Sequence, residues 1–512
     1  MIPEHSIKKR YAYKLFANIV SFGMSLVIAS FVPRALGPQA YGEFNFLINY
    51  FRQIRDFLDM NATNAFYTKF SQRSSETGLI VFYFRFIALG AAVLVFFVLL
   101  SHGTGFSASL WPDQHLFYVY CAALYTVIFW YSQGLDMVVD ACGLTVYAEQ
   151  VRVFQKIFGM IVILLLFFSS RLNLTNYFGA YYAMMLFQIL SFAWIVKRKT
   201  NHAREWTAVS WTRIKSYIPE FYRYSVPLFS ASCVGVTVNI LDRWLLQVFS
   251  GSVQQGFYGL SSSIGALCFV FGSAMTPLLL RDYAVAFSQN DYDALRRLFD
   301  RYVPSLYALA AFFGCFIVFQ SHAVISIFGG SRFVGAAPSL MIMAFFPIHQ
   351  TYGQMSNTVL LAGGHTRIYR NIGIVFELIG IVLTYFLIAP ARLGGLNAGA
   401  TGLALKMVLV QFTSVNVGLY CISRLIHIPF GRYFRLQVMT VAAFLAIGYL
   451  ATQAVNATPM AAGPVALRFF VTGLVYSGGV FLAIYKFPET FGFHPADFPY
   501  LFGKARQFMG FN

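Results

Sequence analysis

Apolar stretches of about twenty residues recur along the whole chain, separated by short polar connections, the length needed to cross a hydrocarbon core of roughly 30 Å as helix. Read in order they predict helical spans at 13–33, 41–66, 79–101, 115–137, 146–169, 174–196, 225–248, 256–280, 302–320, 335–361, 367–389, 398–421, 435–455 and 465–486. The expected fold class is an all-α polytopic membrane protein with about fourteen transmembrane helices. The opening MIPEHSIKKRYAYKLF is basic and then apolar, as in a signal sequence, but no small-residue cleavage site follows. It is read as the first retained span, ending at Val32-Pro33-Arg34.

Composition agrees with that pattern. Charged residues make up 11% of the chain and hydrophobic ones 58%, whereas soluble domains carry about 25% charge. The net charge of +18 could signal nucleic acid, but its distribution argues otherwise. With a cytoplasmic amino terminus and fourteen alternating spans, the inner connections collect about 25 Lys and Arg residues, as the positive-inside rule requires. Among them are Lys8, Lys9, Arg10, Lys197, Arg198, Lys199, Arg204, Arg213, Lys215, Arg296, Arg297, Arg424, Arg432 and Arg435. The outer connections hold only Arg34, Arg171, Arg332 and Arg392. Both termini are therefore expected in the cytoplasm, and an odd number of spans would break the separation. The cysteines all fall in or beside predicted helices without a CxxC pair, which reads as packing rather than disulfide or metal chemistry.

The loops are too short to fold a soluble catalytic domain, which weighs against a membrane glycosyltransferase or polymerase. A basic connection at 199–223 divides similar halves: Leu15-Phe16 against Leu228-Phe229, AYGEF (40–44) against FYGLS (257–261), and Gly159 against Gly380. Six spans per copy give both copies one orientation, related by an axis along the membrane normal. The expected organisation is an N-lobe (1–198, spans 1–6), the basic linker (199–223), a C-lobe (224–425, spans 7–12) and a last part (426–512) with two further spans and a tail. Two six-helix lobes around a central cleft are a transporter architecture.

Charges inside the spans are the candidate chemistry. Arg52, Arg55, Asp56 and Asp59 fall on one helical stripe of the second span. Facing lipid, they would cost on the order of 10–14 kcal/mol, so the stripe must look inward. Glu149, Arg152 and Lys156 repeat the pattern in the fifth span, while Asp136 and Asp140 lie near the inner end of the fourth. At 1.5 Å per residue, Arg52, Arg55, Lys156, Glu377 and Lys406 fall near mid-membrane, with the remaining carboxylates toward the inner mouth. Arg52, Arg55, Lys156 and Lys406 are thus candidate substrate-binding cations. Asp56, Asp59, Arg152 and Glu377 are candidate gate or structural ion pairs, with Arg52–Asp56, Arg55–Asp59 and Lys156–Glu377 as possible pairings. A cationic cleft at membrane depth suits an anionic head group whose tail stays in lipid, such as a polyprenyl-pyrophosphate-linked glycan, because Arg presents a planar fork of donors to phosphate.

Specific strings then carry a resemblance. RALGPQAYGEF (34–44), the stretch 226–267 with Asp242-Arg243 and Gly256-Phe257-Tyr258, LLAGGHTRIYRN (360–371) and GLNAGATGLAL (395–405) occur in order. Over about residues 12–425 the chain resembles the Wzx-like oligosaccharide/polysaccharide flippases of the multidrug/oligosaccharidyl-lipid/polysaccharide (MOP) exporter superfamily. The resemblance implies a V-shaped pair of lobes in a bacterial inner membrane and export of undecaprenyl-pyrophosphate-linked O-antigen, capsule or exopolysaccharide units. Implied partners are that glycolipid, membrane lipids and the polysaccharide polymerase machinery; neither nucleic acid nor a cofactor is expected. Relatives that flip the peptidoglycan precursor carry arginines in the first span, where this chain has Asn18 and Ser21. Some superfamily members couple to sodium, others to protons; here Asp242, Asn371, Glu377 and Thr401 would be the sodium ligands, with the oxygen chemistry a hard cation takes. Drug-exporting relatives leave a cation antiporter as the alternative.

Overall fold

The computed structural model describes residues 7–200, 210–268 and 270–493, and among these every regular element is helical. The side chains of Lys8, Lys9, Arg10, Asn18 and Ser21, residues 201–209 with Arg204, and the tail beyond 493 lie outside the described residues. In chain order the helices are α1 (Ile7–Asp59), α2 (Ala62–Gln72), α3 (Thr77–Gly103), α4 (Ser107–Leu110), α5 (Leu116–Ala141), α6 (Thr145–Phe168), α7 (Leu174–Lys199) and α8 (Trp211–Leu267). They continue as α9 (Val270–Ser288), α10 (Tyr292–Gly329), α11 (Ala337–Met343), α12 (Phe346–Ala362), α13 (Thr366–Ile388), α14 (Gly399–Leu425), α15 (Phe430–Asn456) and α16 (Val465–Lys486).

Among the described residues nine helical segments are long and apolar enough to cross a membrane: α3, α6, α7, α10, the segment Ser331–Ala362 and α13 to α16. Their outward faces carry bare hydrophobes, such as Leu165, Phe168 and Val382, each about two-thirds exposed or more. Water would not tolerate apolar faces of that extent, whereas lipid does. The chain is a multi-pass membrane protein. The other five expected spans are helical as well, in the two arms of α1, in α5, and in α8 with α9.

Three boundaries differ from the hydropathy reading. Residues 34–40, expected to connect the first two spans, belong to α1, which bends at Gly37 (φ 77°, ψ 172°) instead of stopping. Glycine permits the left-handed angle, and Pro38 then opens the second arm, where its missing N–H costs nothing. The second span closes at Asp59 rather than 66, because Met60 and Asn61 both take positive φ before α2 begins. The tenth span is broken: a 3-10 turn (Ser331–Ala336) leads into α11 and α12, each with proline in its first turn.

The chain divides into two compact units, Met1–Gly256 and Phe257–Asn512, with the division inside α8 just past its own bend at Gly251 (φ 76°, ψ −178°). In the first unit α1 packs on α6, α5 on α7, and α6 on α7. Its core stacks Phe66 on Tyr83 (4.2 Å between centroids) and buries Trp130 fully. The start of α8 closes this core with Ile214, Tyr217 and Phe221. In the second unit α10 is the central element. It carries Phe299, Tyr307 and Cys315 against α12, α15 and α16, and Tyr476 donates to the Phe312 carbonyl (2.9 Å). The last two spans are therefore built into that core. All six cysteines are free thiols.

Candidate functional site

In the first unit the charged stripe of α1 sorts into two kinds of charge. Arg55 is buried, its guanidinium donating to Gln133 of α5 and to Asp56, and lying over the Phe129 ring (5.4 Å to the centroid). Its ion pair is with its chain neighbour Asp56. Asp59, also buried, accepts instead from the Thr63 amide (3.1 Å), the Thr63 hydroxyl (2.6 Å) and the Trp130 indole N–H (3.2 Å). That carboxylate ties the end of α1 to the start of α2 and to α5, much as an N-cap does. Arg52, one turn earlier, is exposed.

The fifth-span charges sort the same way. Arg152 of α6 donates to both oxygens of Asp136 (2.8 and 2.9 Å) and to Glu149 (2.5 Å). One guanidinium thus bridges two carboxylates and locks α5 to α6, the use to which its planar fork is suited. Asp140 accepts from Tyr67 (2.9 Å). Lys156, one turn further along α6, is half-buried and has neither an ion pair nor a hydrogen bond among the described residues. After these pairings, Arg52 on α1 and Lys156 on α6 remain as cations without a carboxylate among the described residues, on two helices that pack together.

Beside Arg52 and Arg55 lies an aromatic cluster that hydropathy did not single out. Tyr125 packs edge-on to Tyr181 (5.3 Å) and beside Phe129 (6.0 Å), while Tyr177 and Tyr181 meet each other and Phe44. Its sequence signal was the i, i+4 spacing of Tyr177 and Tyr181 and of Tyr125 and Phe129.

In the second unit Glu377 and Lys406 sit on the packed pair α13 and α14. Lys406 is buried, and Gly380 makes room for it: a Cβ there would meet Lys406 Cε at 2.7 Å and Nζ at 3.1 Å. Gly159 plays the same part on α6, where a Cβ would collide with Met184 of α7. Glu377 and Lys406 are both engaged by neighbours.

The four candidate sodium ligands fall in both units. Asp242 is buried in the first unit and has a partner, while the other three belong to the second. Asn371 is exposed and accepts from Arg370 (3.2 Å). It lies about 9 Å along α13 from Glu377 and on another face, at 1.5 Å and 100° per residue. Thr401 is half-buried near the start of α14. Among the described residues no three His, Cys, Asp or Glu side chains cluster as metal ligands.

The bends of α1 and α8 bring a further element together inside the first unit. Gly37 and Gly251 share one backbone conformation, and five residues after each stands a second glycine, Gly42 and Gly256. A Cβ on Gly42 would strike the Ser252 carbonyl and come within 2.7 Å of the Gly256 nitrogen. A Cβ on Gly256 would strike the Pro38 carbonyl and come within 2.9 Å of its carbon. The contact is reciprocal, and the two bends share the spacing Gly-x4-Gly, three residues out of the AYGEF–FYGLS register. Gln114 (3.1 Å) and Gln247 (3.0 Å) both donate to the Ser252 hydroxyl at this crossing.

No family model matches the sequence, and no curated protein does. Solved structures do share the fold. One is the lipid II flippase MurJ in an inward closed conformation, with a TM-score of 0.67 and 13% identity over 93% of this chain and 98% of that one. Another is a multidrug resistance MATE family transporter of the MOP superfamily, inward-facing, with a TM-score of 0.64 and 13% identity over 80% of this chain and 94% of that one. An outward-facing MATE transporter aligns with a TM-score of 0.53 at 13% identity, over 83% of this chain and 97% of that one. The chain shares its fold with these solved transporters.

Proposed function

We propose that this chain is a transporter that flips a lipid-linked oligosaccharide, carried on undecaprenyl pyrophosphate, from the inner to the outer leaflet of a bacterial inner membrane. The glycan is an O-antigen, capsule or exopolysaccharide repeat unit, handed on to polysaccharide polymerase machinery. The observation that carries the reading is the pair Arg52 and Lys156, left without a carboxylate among the described residues while Arg55 and Arg152 are paired. A cation retained in a membrane helix without a fixed counter-charge calls for an anionic visitor. A pyrophosphate supplies that charge, and the adjoining tyrosines give flat faces and hydroxyls of the sort that sugars pack on. Arg55, fixed by Gln133 and Asp56, presents its remaining donors from a rigid base, and Lys406 serves the second lobe of the repeat. The mechanism is alternating access between lobes 1–198 and 224–425. Coupling to a sodium or proton gradient through Asp242, Asn371, Glu377 or Thr401 belongs to the same proposal.

The test is genetic and chemical. The gene is deleted in its host, polyprenyl-linked intermediates are extracted, and plasmid copies of wild type and of Arg52→Ala/Lys156→Ala are compared. Complete glycan units that accumulate on the inner leaflet, and that wild type but not the double variant clears, are the expected outcome. Clearance by both copies would sink the role of these two cations. An unchanged lipid pool would sink the flippase reading in favour of a cation exporter.

A further inference from the structure

A second basic site lies elsewhere on the first unit. Between α3, α5 and α7 runs a groove of about 630 Å³ whose walls include Val81, Phe84, Ile128, Tyr131 and Ile189, with Arg85 as its one charged lining residue. Arg85 is exposed and, among the described residues, has no carboxylate and no hydrogen-bond partner. Its guanidinium lies over the indole of Trp211 (5.7 Å), and Lys215 Nζ approaches the same ring (5.6 Å). Two cations therefore flank one exposed tryptophan at an apolar groove.

This arrangement is held rigidly. The first turns of α8 are amphipathic, with Ile214, Tyr217 and Phe221 buried and Trp211, Ile218 and Tyr222 exposed. Glu76 accepts from Tyr217 (2.6 Å) and Arg213 (3.3 Å), and Glu220 pairs with Arg73 (2.6 Å) and Lys69 (3.2 Å). Those contacts clamp the segment bearing Trp211 and Lys215 against α2 and α3. An amphipathic helix with outward tryptophan and basic residues is the kind that lies at a membrane interface.

We propose that the groove binds one resident anionic phospholipid, an acyl chain lying along the groove and the phosphate held by Arg85 and Lys215 beside Trp211. The groove supplies no counter-charge for Arg85, and a guanidinium facing hydrocarbon is costly unless an anion meets it. A phosphodiester has two free oxygens for the guanidinium fork, and basic pockets between membrane helices take such head groups. None of the groove's lining residues comes from α1 or α6, so the site is separate from Arg52 and Lys156 and independent of the transport reading.

The full chain, purified in detergent, is presented with equimolar phosphatidylglycerol and phosphatidylcholine, and bound lipid is counted by native mass spectrometry. Wild type is expected to prefer phosphatidylglycerol about tenfold, the weight of one charge-assisted hydrogen bond. Arg85→Gln should abolish the preference, Ala88→Trp should plug the groove and lower retention of both lipids, and Arg392→Gln should change nothing. Lys215→Gln, at an exposed position, gives a partial loss and keeps the test decisive should Arg85→Gln fail to fold. A preference that survives both Arg85→Gln and Lys215→Gln would overturn the assignment. So would displacement of phosphatidylglycerol by equimolar undecaprenyl phosphate, which would give the groove to the transported lipid.

Discussion

The crossing of α1 and α8 makes a sharp quantitative prediction, because its close approach is between backbones. In Gly42→Ala the new methyl would stand 2.7 Å from the Gly256 nitrogen and 2.8 Å from the Ser252 carbon, besides colliding with the Ser252 oxygen. Ordinary non-bonded carbon contacts lie at about 3.5–4.0 Å, so the helices must part by roughly 0.8 Å or more. No rotamer change relieves the clash, since every atom met is main chain. Overpacking costs about 1–3 kcal/mol, and a rigid neighbour argues for the upper half of that range. Alanine regains about 1 kcal/mol over glycine in a helix interior. The net expectation is a loss of about 1–2 kcal/mol, or roughly 5–30-fold in the folded-to-unfolded ratio. Gly179→Ala, at a helical glycine with nothing within 4 Å, should instead gain up to about 1 kcal/mol.

The assay is equilibrium unfolding in mixed micelles, followed by tryptophan fluorescence, for both single variants and for Gly42→Ala/Gly256→Ala. Once one methyl has parted the helices the second meets less resistance, so the double variant should fall short of additivity by about 0.5 kcal/mol or more. Gly42→Ala as stable as Gly179→Ala, or strict additivity of the two substitutions, would refute the reciprocal contact.

Two further outcomes follow from the polar contacts of the first unit. Arg152→Gln leaves the mostly buried Asp136 and Glu149 without their shared cation and should cost about 3 kcal/mol in the same unfolding assay. Arg152→Lys, which keeps the charge without the fork, should cost less. Glu220 is held below its ordinary 4.5, first by the hydrogen bond from Arg73 and then by Lys69, against the opposing effect of partial burial. A depressed carboxyl stabilises the fold at pH above about 4.5, and that contribution fades as pH falls through the lowered value. Melting temperature measured from pH 7 downward should therefore drop on the acid side of 4.5, and the slope should flatten in Glu220→Gln. Equal slopes would show that the clamp on the start of α8 adds nothing.

What the sequence determined by itself was the set of helices. Hydropathy is a local quantity, and a twenty-residue apolar run has few alternatives in a membrane, so the spans were legible almost throughout. The failures came where local chemistry competes with hydropathy: at Gly37, where glycine bends a helix that was expected to stop, and at Met60-Asn61, where positive φ ends one early. The stripe of Arg52, Arg55, Asp56 and Asp59 was legible because helical periodicity is exact enough to collect charges on one face.

Which of those charges stay unpaired was decided only by the tertiary structure. Asp59 turned to Thr63 and Trp130, Arg55 to Gln133 and Asp56, and Arg152 took two carboxylates at once, leaving Arg52 and Lys156. Pairing depends on what neighbouring helices offer at a few ångströms, and that distance is set by packing between segments far apart in the chain. The meeting of Gly42 with Gly256 was hidden for the same reason: a glycine's role lies in what approaches it, and sequence spacing does not record an approach across 214 residues.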